Sequence, residues 1–112
     1  MAIDKNLVQG SMAMMILRLL ETGDMYGYEM IEALRAKSNN VFELKAGTLY
    51  PLLHTLESKG DVVSYEDNSS GKTRKYYRLT RKGTQLLEEE TARWRAYEHA
   101  INSVLSPVSA PV

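Results

Sequence analysis

The sequence contains no cysteine, carries no net charge and has no long hydrophobic run. The absence of cysteine excludes disulfides, thiolate metal sites and thiol nucleophiles. The most apolar stretch, residues 12–20, is interrupted by Arg18 and has about half of the roughly 20 residues that a membrane-spanning helix needs. It also lacks the cleavage site of a signal peptide. We therefore expect a cytoplasmic protein that does not associate with membranes.

The sequence also offers little for catalysis. Its two histidines, His54 and His99, fall in different predicted helices, and no phosphate-binding loop, nucleophile elbow or defined carboxylate pair accompanies them. No spacing of metal ligands is present. The acidic run at residues 88–90 is typical of a solvated helix face. We expect no enzyme activity, no cofactor and no metal.

What the sequence does have is 112 residues of ordinary globular composition, 44% hydrophobic and 25% charged, which suits a single domain. Because 14 basic residues balance 14 acidic ones, overall charge gives no argument for nucleic-acid binding. The charge is unevenly placed, however. Six of the 14 basic residues lie between Lys72 and Lys82 with no acid among them, which is the first indication of a functional surface.

Hydrophobic periodicity predicts three helices in the first half of the chain. The first spans residues 7–21, and the second starts with Asp24 as N-cap and runs to about Lys37. Residues 41–44 suit an extended conformation. A third helix then begins between residues 46 and 48, tolerates Pro51 near its start and closes at Gly60. Its apolar positions follow the helical repeat: Leu49, Leu52, Leu53 and Leu56.

A β-hairpin and a long helix follow. Residues 62–65 and 74–79 are rich in β-branched and aromatic side chains, and turn-forming residues separate them. Tyr76 and Tyr77 are adjacent on the second strand and face opposite ways, so at least one should be buried. Thr80 caps a helix that runs to about Leu105.

The predicted fold class is mainly α with a small β-hairpin. We expect a winged helix-turn-helix at residues 1–79 and a long C-terminal dimerisation helix at residues 80–106, packed on the first helix. Residues 107–112 are expected to form a flexible tail. The whole chain is one structural domain.

The third helix and the hairpin are the candidate DNA-binding elements. Neither is diagnostic alone, because any amphipathic helix has a polar face and a basic run is often only a solvated strand edge. Together they match a recognition helix for the major groove and a basic wing for phosphates or the minor groove. Tyr26, at the start of the second helix, is either a phosphate contact or a packing residue. The candidate contacts are Tyr26, Lys45, Gly47, Thr48, Tyr50, Pro51, His54, Lys72, Thr73, Arg74 and Lys75.

The last helix carries a seam suited to pairing with a second copy of the chain. Leu87, Trp94 and Ile101 repeat every seven residues, and Tyr97 and Val104 fill the intermediate positions. These five residues form the predicted homodimer interface. Trp94, the only tryptophan, is either a core or interface residue or, facing its symmetry copy, a platform that holds a flat aromatic ligand.

Several blocks of the sequence resemble the PadR-type transcriptional regulators. They read Tyr-Gly-Tyr-Glu at residues 26–29, Gly-Thr-Leu-Tyr-Pro-Leu-Leu at 47–53, Leu-Glu-Ser-Lys-Gly at 56–60, and Gly-Lys-Thr-Arg-Lys-Tyr-Tyr-Arg-Leu-Thr at 71–80. With Gly83, the resemblance covers roughly residues 7–105. It implies a winged-helix dimer that represses a neighbouring gene, often one for detoxification or efflux, and releases DNA when a small molecule binds.

Carried onto this sequence, the resemblance makes Thr48, Tyr50 and the outward positions of the third helix the operator readers. It makes Lys72, Arg74 and Lys75 the wing. A chain that ends soon after one C-terminal helix is similar to the short subfamily, in one member of which a comparably placed tryptophan stacks planar drugs, as Trp94 would.

The predicted function is therefore a homodimeric repressor of a pseudo-palindromic double-stranded DNA operator, released by a small, aromatic effector. One alternative is a winged-helix module that binds another protein and no operator, against which the basic wing argues. Another is a small-molecule carrier or an enzyme that uses the dimer cavity, for which no catalytic constellation is present.

Overall fold

The computed structural model describes residues 5–107, with side chains from residue 11 onward. In chain order the elements are α1 (Lys5–Glu21), β1 (Met25–Tyr26), α2 (Gly27–Lys37), α3 (Ala46–Ser58), β2 (Val62–Asp67), β3 (Arg74–Leu79) and α4 (Arg81–Leu105). The predicted fold class, three helices followed by a hairpin and a long helix, is confirmed. The tail predicted at residues 107–112 lies, apart from residue 107, outside the described residues.

The sheet has three antiparallel strands in the order β1-β3-β2, one more than the hairpin that the sequence predicts. Within the hairpin Val62 pairs with Leu79 and Asp67 with Arg74, so the strands stay in register over six residues. The additional strand, β1, places Tyr26 opposite Tyr76 on β3.

This strand overturns the predicted start of the second helix. The N-cap of α2 is Tyr26, not Asp24, and the Glu29 carboxylate accepts a hydrogen bond of 3.1 Å from the Tyr26 backbone N–H. Asp24 lies before β1, where its side chain contacts Tyr65 on β2 and Arg78 on β3. Residues 41–44, predicted to be extended, form no strand and lead into α3 as irregular chain.

The hydrophobic core lies where the three N-terminal helices meet one face of the sheet. Its innermost side chains come from every layer and are at most 1% exposed: Ile16, Leu17, Met30, Leu49, Leu53, Val62 and Leu87. Alternation along β3 directs Tyr77, 4% exposed, into this core and leaves Tyr76 half-buried on the other face. The prediction for this tyrosine pair is confirmed.

A glycine follows the C-terminal end of α3, and a proline lies near its N-terminal end. Gly60 adopts a φ of 83°, in the left-handed region that glycine favours, just after the C-cap residue Lys59. Pro51 is the sixth residue of the helix, slightly deeper than its N-terminal turn. It has no N–H to donate to the Gly47 carbonyl, so α3 lacks one backbone hydrogen bond at this position.

The first turn of α4 is fastened to the corner between α3 and β2. The Thr80 hydroxyl accepts a 3.0 Å hydrogen bond from the Gly83 N–H, which confirms Thr80 as the N-cap. The same hydroxyl lies 2.6 Å from the Gly60 carbonyl oxygen, to which it donates. The Thr80 N–H donates to the Asp61 carbonyl at 3.2 Å. A Cβ atom on Gly83 would collide with that Asp61 oxygen, so only glycine permits this approach.

Candidate nucleic-acid interface

The outer face of α3 presents the predicted reading residues to solvent. All six of them are exposed, while the opposite side of the helix is buried through Leu49, Leu53 and Leu56. A Cβ atom added at Gly47 would meet nothing within 4 Å, so the backbone is open there to a close approach. The exposed set is Lys45, Gly47, Thr48, Tyr50, Pro51 and His54.

Tyr50 also connects α3 to α2. Its phenol ring lies against Gly27, where a Cβ atom would collide with the Tyr50 hydroxyl group. The ring is nevertheless 49% exposed. Sequence reasoning took Tyr50 as a reader only. The counterpart of this second role is Gly27, whose lack of a side chain leaves room for the Tyr50 ring.

The basic strand β3 divides its side chains between the two faces of the sheet. The register pairs Lys75 with Glu66 and Tyr77 with Ser64, and these four share the face that α3 covers. Arg74, Tyr76 and Arg78 point to the opposite face. The structure therefore separates Arg74 from Lys75, two residues that the sequence prediction grouped in one wing.

On the outer face of the sheet, three tyrosine rings lie side by side. Tyr76 meets Tyr26 edge-on at 5.4 Å between ring centroids and stacks on Tyr65 at 5.8 Å. The Arg74 guanidinium lies 4.6 Å from the centroid of the Tyr26 ring. Tyr26, a predicted phosphate contact, and Arg74 are thus engaged with each other, although Arg74 remains half-exposed.

Asp24 fastens the base of this tyrosine cluster. It accepts a 2.6 Å hydrogen bond from the Tyr65 hydroxyl, and Arg78 Nη2 lies 3.1 Å from the same carboxylate oxygen. The Tyr65 hydrogen bond lowers the pKa of Asp24, with a further contribution from Arg78. In return, Asp24 raises the pKa of Tyr65. None of these three residues was predicted to have this role, because the contacts depend on strand β1.

The tip of the wing is a tight polar turn between β2 and β3. The Asp67 carboxylate accepts a 2.7 Å hydrogen bond from the Ser69 N–H. The Ser69 side chain and, to a smaller extent, this N–H lower the pKa of Asp67. Gly71 has a φ of 87°, and Thr73 donates to the Asn68 side chain. Lys72 and Thr73 are exposed at this tip.

The predicted dimer seam on α4 is exposed over most of its length. Trp94 is 43% exposed, and its ring centroid lies 6.2 Å from that of Tyr97. Ile101 and Val104 follow on the same side of the helix, also exposed. Leu87 requires a correction, because it is 1% exposed within its own subunit and belongs to the hydrophobic core. The exposed seam therefore begins at Trp94.

An apolar groove of about 420 Å³ runs beside Trp94, between α1, α2 and α4. We call it the α1–α4 groove. Met14, Met15, Leu34 and Phe42 form its apolar wall, and Phe42 belongs to the turn that leads into α3. Charged side chains rim it: Arg18, Lys37, Arg95 and Glu98.

Residues 5–107 contain neither a candidate membrane span nor a candidate metal site. None of the helices in that range combines the length and the apolar character needed to cross a membrane. Within the same range, no three His, Asp or Glu side chains are grouped so that they could hold a metal ion.

Comparison with known proteins agrees with this architecture. The chain matches the profile of the Transcriptional regulator PadR-like family over residues 16–89. An uncharacterized protein of Lysinibacillus sphaericus is 35% identical over 101 residues, which cover 89% of this chain and 93% of that one.

Solved structures give the same result. A transcriptional regulator from Clostridium thermocellum superposes with a TM-score of 0.84 at 30% identity, covering 91% of this chain and 100% of that one. A PadR family transcriptional regulator from Eggerthella lenta superposes at 0.80 with 34% identity, covering 92% and 88%. The chain therefore belongs to the PadR-like family of transcriptional regulators, which bind DNA.

Proposed function

We propose that the protein is a homodimeric repressor that places α3 of each subunit in the major groove of a pseudo-palindromic operator. The observation that carries this proposal is the exposed outer face of α3, together with an exposed wing tip that bears Lys72 and Thr73. Two-fold symmetry would set the two reading helices about 34 Å apart, one turn of B-form DNA.

The residues of α3 suit different parts of this task. Gly47 lets the helix backbone approach the bases, and the hydroxyls of Thr48 and Tyr50 supply donors and acceptors for base edges or phosphates. Lys45, just before the helix, and Lys72, at the wing tip, supply positive charge for backbone phosphates. His54 and Pro51 complete the exposed surface.

Operator binding is tested by fluorescence anisotropy with a duplex from the protein's own promoter region and a shuffled duplex of the same composition. We expect clear preference for the promoter duplex at a moderate salt concentration of about 150 mM. Equal affinity for the two duplexes would refute the proposal. Salt-insensitive capture of a protein partner, without binding to either duplex, would favour the protein-interaction alternative.

Two variants distinguish contacts with backbone phosphates from contacts with base edges. Lys72→Gln should weaken binding to both duplexes and reduce the salt slope by about one unit, as loss of one phosphate contact predicts. Arg93→Gln, which removes an exposed cation on α4, is the control and should leave the slope unchanged. Thr48→Ala should instead alter the preference between the two duplexes.

Dimerisation through α4 is supported by the exposed seam of Trp94, Tyr97, Ile101 and Val104. Their spacing of three and four residues is that of a coiled-coil seam, and such apolar side chains are stabilised when a second helix covers them. The partner proposed is a second copy of the chain.

Release by an effector is supported by Trp94 and the α1–α4 groove. A volume of about 420 Å³ is in the range of small-molecule sites, and the indole provides a flat surface for an aromatic compound. Titration with planar aromatics should quench Trp94 fluorescence and release the promoter duplex at the same concentrations. Quenching without release would refute the regulatory role.

A further inference from the structure

Lys72 and Lys75 belong to the same wing but have different surroundings. Lys75 Nζ lies 3.9 Å from Glu57 Oε1 and 5.6 Å from the centroid of the Tyr77 ring. Glu66, its partner in the strand register, points to the same face. Lys72, at the wing tip, forms no ion pair with any side chain of residues 11–107. A phosphate therefore meets a free cation at Lys72 and an occupied one at Lys75.

Glu57 occupies an unusual position for an acidic residue. It is the penultimate residue of α3, where the free carbonyl groups at the C-terminus of a helix create a negative potential that disfavours a carboxylate. No basic residue of α3 lies in the last turn to offset this effect. The carboxylate is stabilised instead by contacts outside the helix.

Those contacts hold Glu57 between the recognition helix and the wing. The Ser64 hydroxyl on β2 donates a hydrogen bond to one carboxylate oxygen, Oε2, and the other oxygen faces Lys75 on β3. The Glu57 side chain is 34% exposed. Ser64 thus restricts the rotation of the carboxylate and keeps it directed at Lys75.

This arrangement changes what Lys75 contributes to DNA binding. A free lysine that meets a phosphate releases a counterion from the DNA, which gives the interaction its salt dependence. A lysine already paired with a carboxylate brings no net charge to the phosphate, and the carboxylate itself repels the phosphate. The pair must be broken or shared before Lys75 contributes in full.

We propose that Glu57 is a positioning residue that competes with DNA phosphate for Lys75 and so limits the affinity of the wing for duplex DNA. The proposal rests on the DNA-binding function proposed above, which it deepens. Glu57 itself touches no DNA and acts through the lysine. Its effect should be independent of the DNA sequence, because the contact proposed for Lys75 is with a backbone phosphate and not with a base.

The test is the salt dependence of duplex binding by Glu57→Gln, which keeps the shape of the side chain and removes its charge. Anisotropy titrations with the shuffled duplex between about 50 and 300 mM salt should show binding about three- to tenfold tighter at the low-salt end. The salt slope should steepen by about one unit, the value for one additional phosphate contact. An unchanged slope would overturn the proposal.

A double-mutant cycle with Lys75→Gln shows whether the effect passes through the lysine. In the Lys75→Gln background, Glu57→Gln should change the slope by less than about a third of a unit. An equal change in both backgrounds would overturn the proposal, because it would mean that Glu57 only repels DNA as a general anion. Glu66→Gln is the matched control: it removes the same charge from the same face and should alter the slope less than Glu57→Gln does.

A further variant tests whether the effect depends on the distance between Glu57 and Lys75, and a folding control accompanies every variant. Glu57→Asp retains the charge but withdraws it from Lys75 by one methylene, and its slope should lie between those of the wild type and Glu57→Gln. Thermal unfolding and circular dichroism of each variant report its folding. Because the shuffled duplex is the probe, failure of operator preference refutes the repressor proposal, whereas an unchanged salt slope refutes this one.

Discussion

Helices α3 and α4 both carry an apolar stripe with the helical repeat, but the two stripes have opposite surroundings. In α3, Leu49, Leu53 and Leu56 are at most 3% exposed, because the remainder of the subunit covers them. In α4, only Leu87 is covered in this way, and from Trp94 onward the stripe faces solvent. The same pattern thus indicates an apolar face without indicating which chain covers it.

The difference arises from length. The 25 residues of α4 extend about 37 Å at 1.5 Å per residue, whereas the 13 residues of α3 extend about half as far. The first turns of α4 pack on α1 and contribute Leu87 to the core. From Trp94 onward the apolar side chains of the later turns are at least 37% exposed, although Trp94 still borders the α1–α4 groove.

The largest expected effect is on the buried stripe. Leu53→Ala should lower the free energy of unfolding by about 2–5 kcal/mol, because Leu53 is completely buried and its removal leaves a cavity. Urea unfolding followed by circular dichroism measures the loss. A change below about 1 kcal/mol would show that α3 is not held by its leucines, and the contrast with α4 would then disappear.

The second effect is on the exposed stripe. Ile101→Glu should raise the dimer dissociation constant at least about 100-fold, because an unpaired carboxylate would be buried at the proposed seam. The helical content of the subunit should stay unchanged. His99→Glu, on the opposite side of α4, is the control. Sedimentation velocity over a concentration series distinguishes the two, and equal behaviour of the variants would contradict the seam.

A third comparison uses two glycines. Gly83→Ala should destabilise the protein by about 1–3 kcal/mol, because the new methyl group collides with the Asp61 carbonyl. Gly47→Ala meets no atom within 4 Å and should stabilise α3 by up to about 1 kcal/mol through helix propensity. Under the proposed function it should nevertheless weaken operator binding. Thermal unfolding together with anisotropy measures both properties.

The smallest effect concerns Asp24. Since the folded protein lowers the pKa of this carboxyl group, its stabilising contribution is complete above the unfolded value of about 3.9 and is lost as the pH falls through the lower folded value. Asp24→Asn should therefore cost under about 1 kcal/mol at neutral pH. It should also flatten the decline of stability as the pH falls below about 4. A steeper decline in the variant would contradict the assigned direction.

Much of the fold could be predicted because its signals are local. Thr80 as an N-cap, Gly60 after α3 and the alternation at Tyr76 and Tyr77 each depend on a few neighbouring residues. Strand β1 could not be predicted in this way. It has two residues, too few for a pattern, and it pairs with Tyr76 and Tyr77, which lie about fifty positions away. The misassigned N-cap at Asp24 follows from that missing strand.

The residues of the candidate interface differ in the same way: some follow from local sequence, and others depend on tertiary packing. The outward positions of α3 follow from its leucine repeat, so the sequence predicts them. The faces of Arg74 and Lys75 do not follow, because alternation says only that they differ. Which of them faces α3 depends on how the sheet packs. Glu57 was missed for a related reason: its partners lie on β2 and β3, and a single glutamate at a helix end gives no sequence signal.

The junction of Gly83, Asp61 and Thr80 has a consequence for the geometry of the proposed operator. It fixes the direction of α4 relative to the winged-helix body through backbone contacts, which few side-chain substitutions disturb. In a dimer paired through α4, this direction sets the distance between the two copies of α3. The base preference would then depend on α3, whereas the half-site spacing would depend on this junction, which contacts no DNA in the proposed complex. Substitutions in α3 would change the base preference and leave the half-site spacing unaltered.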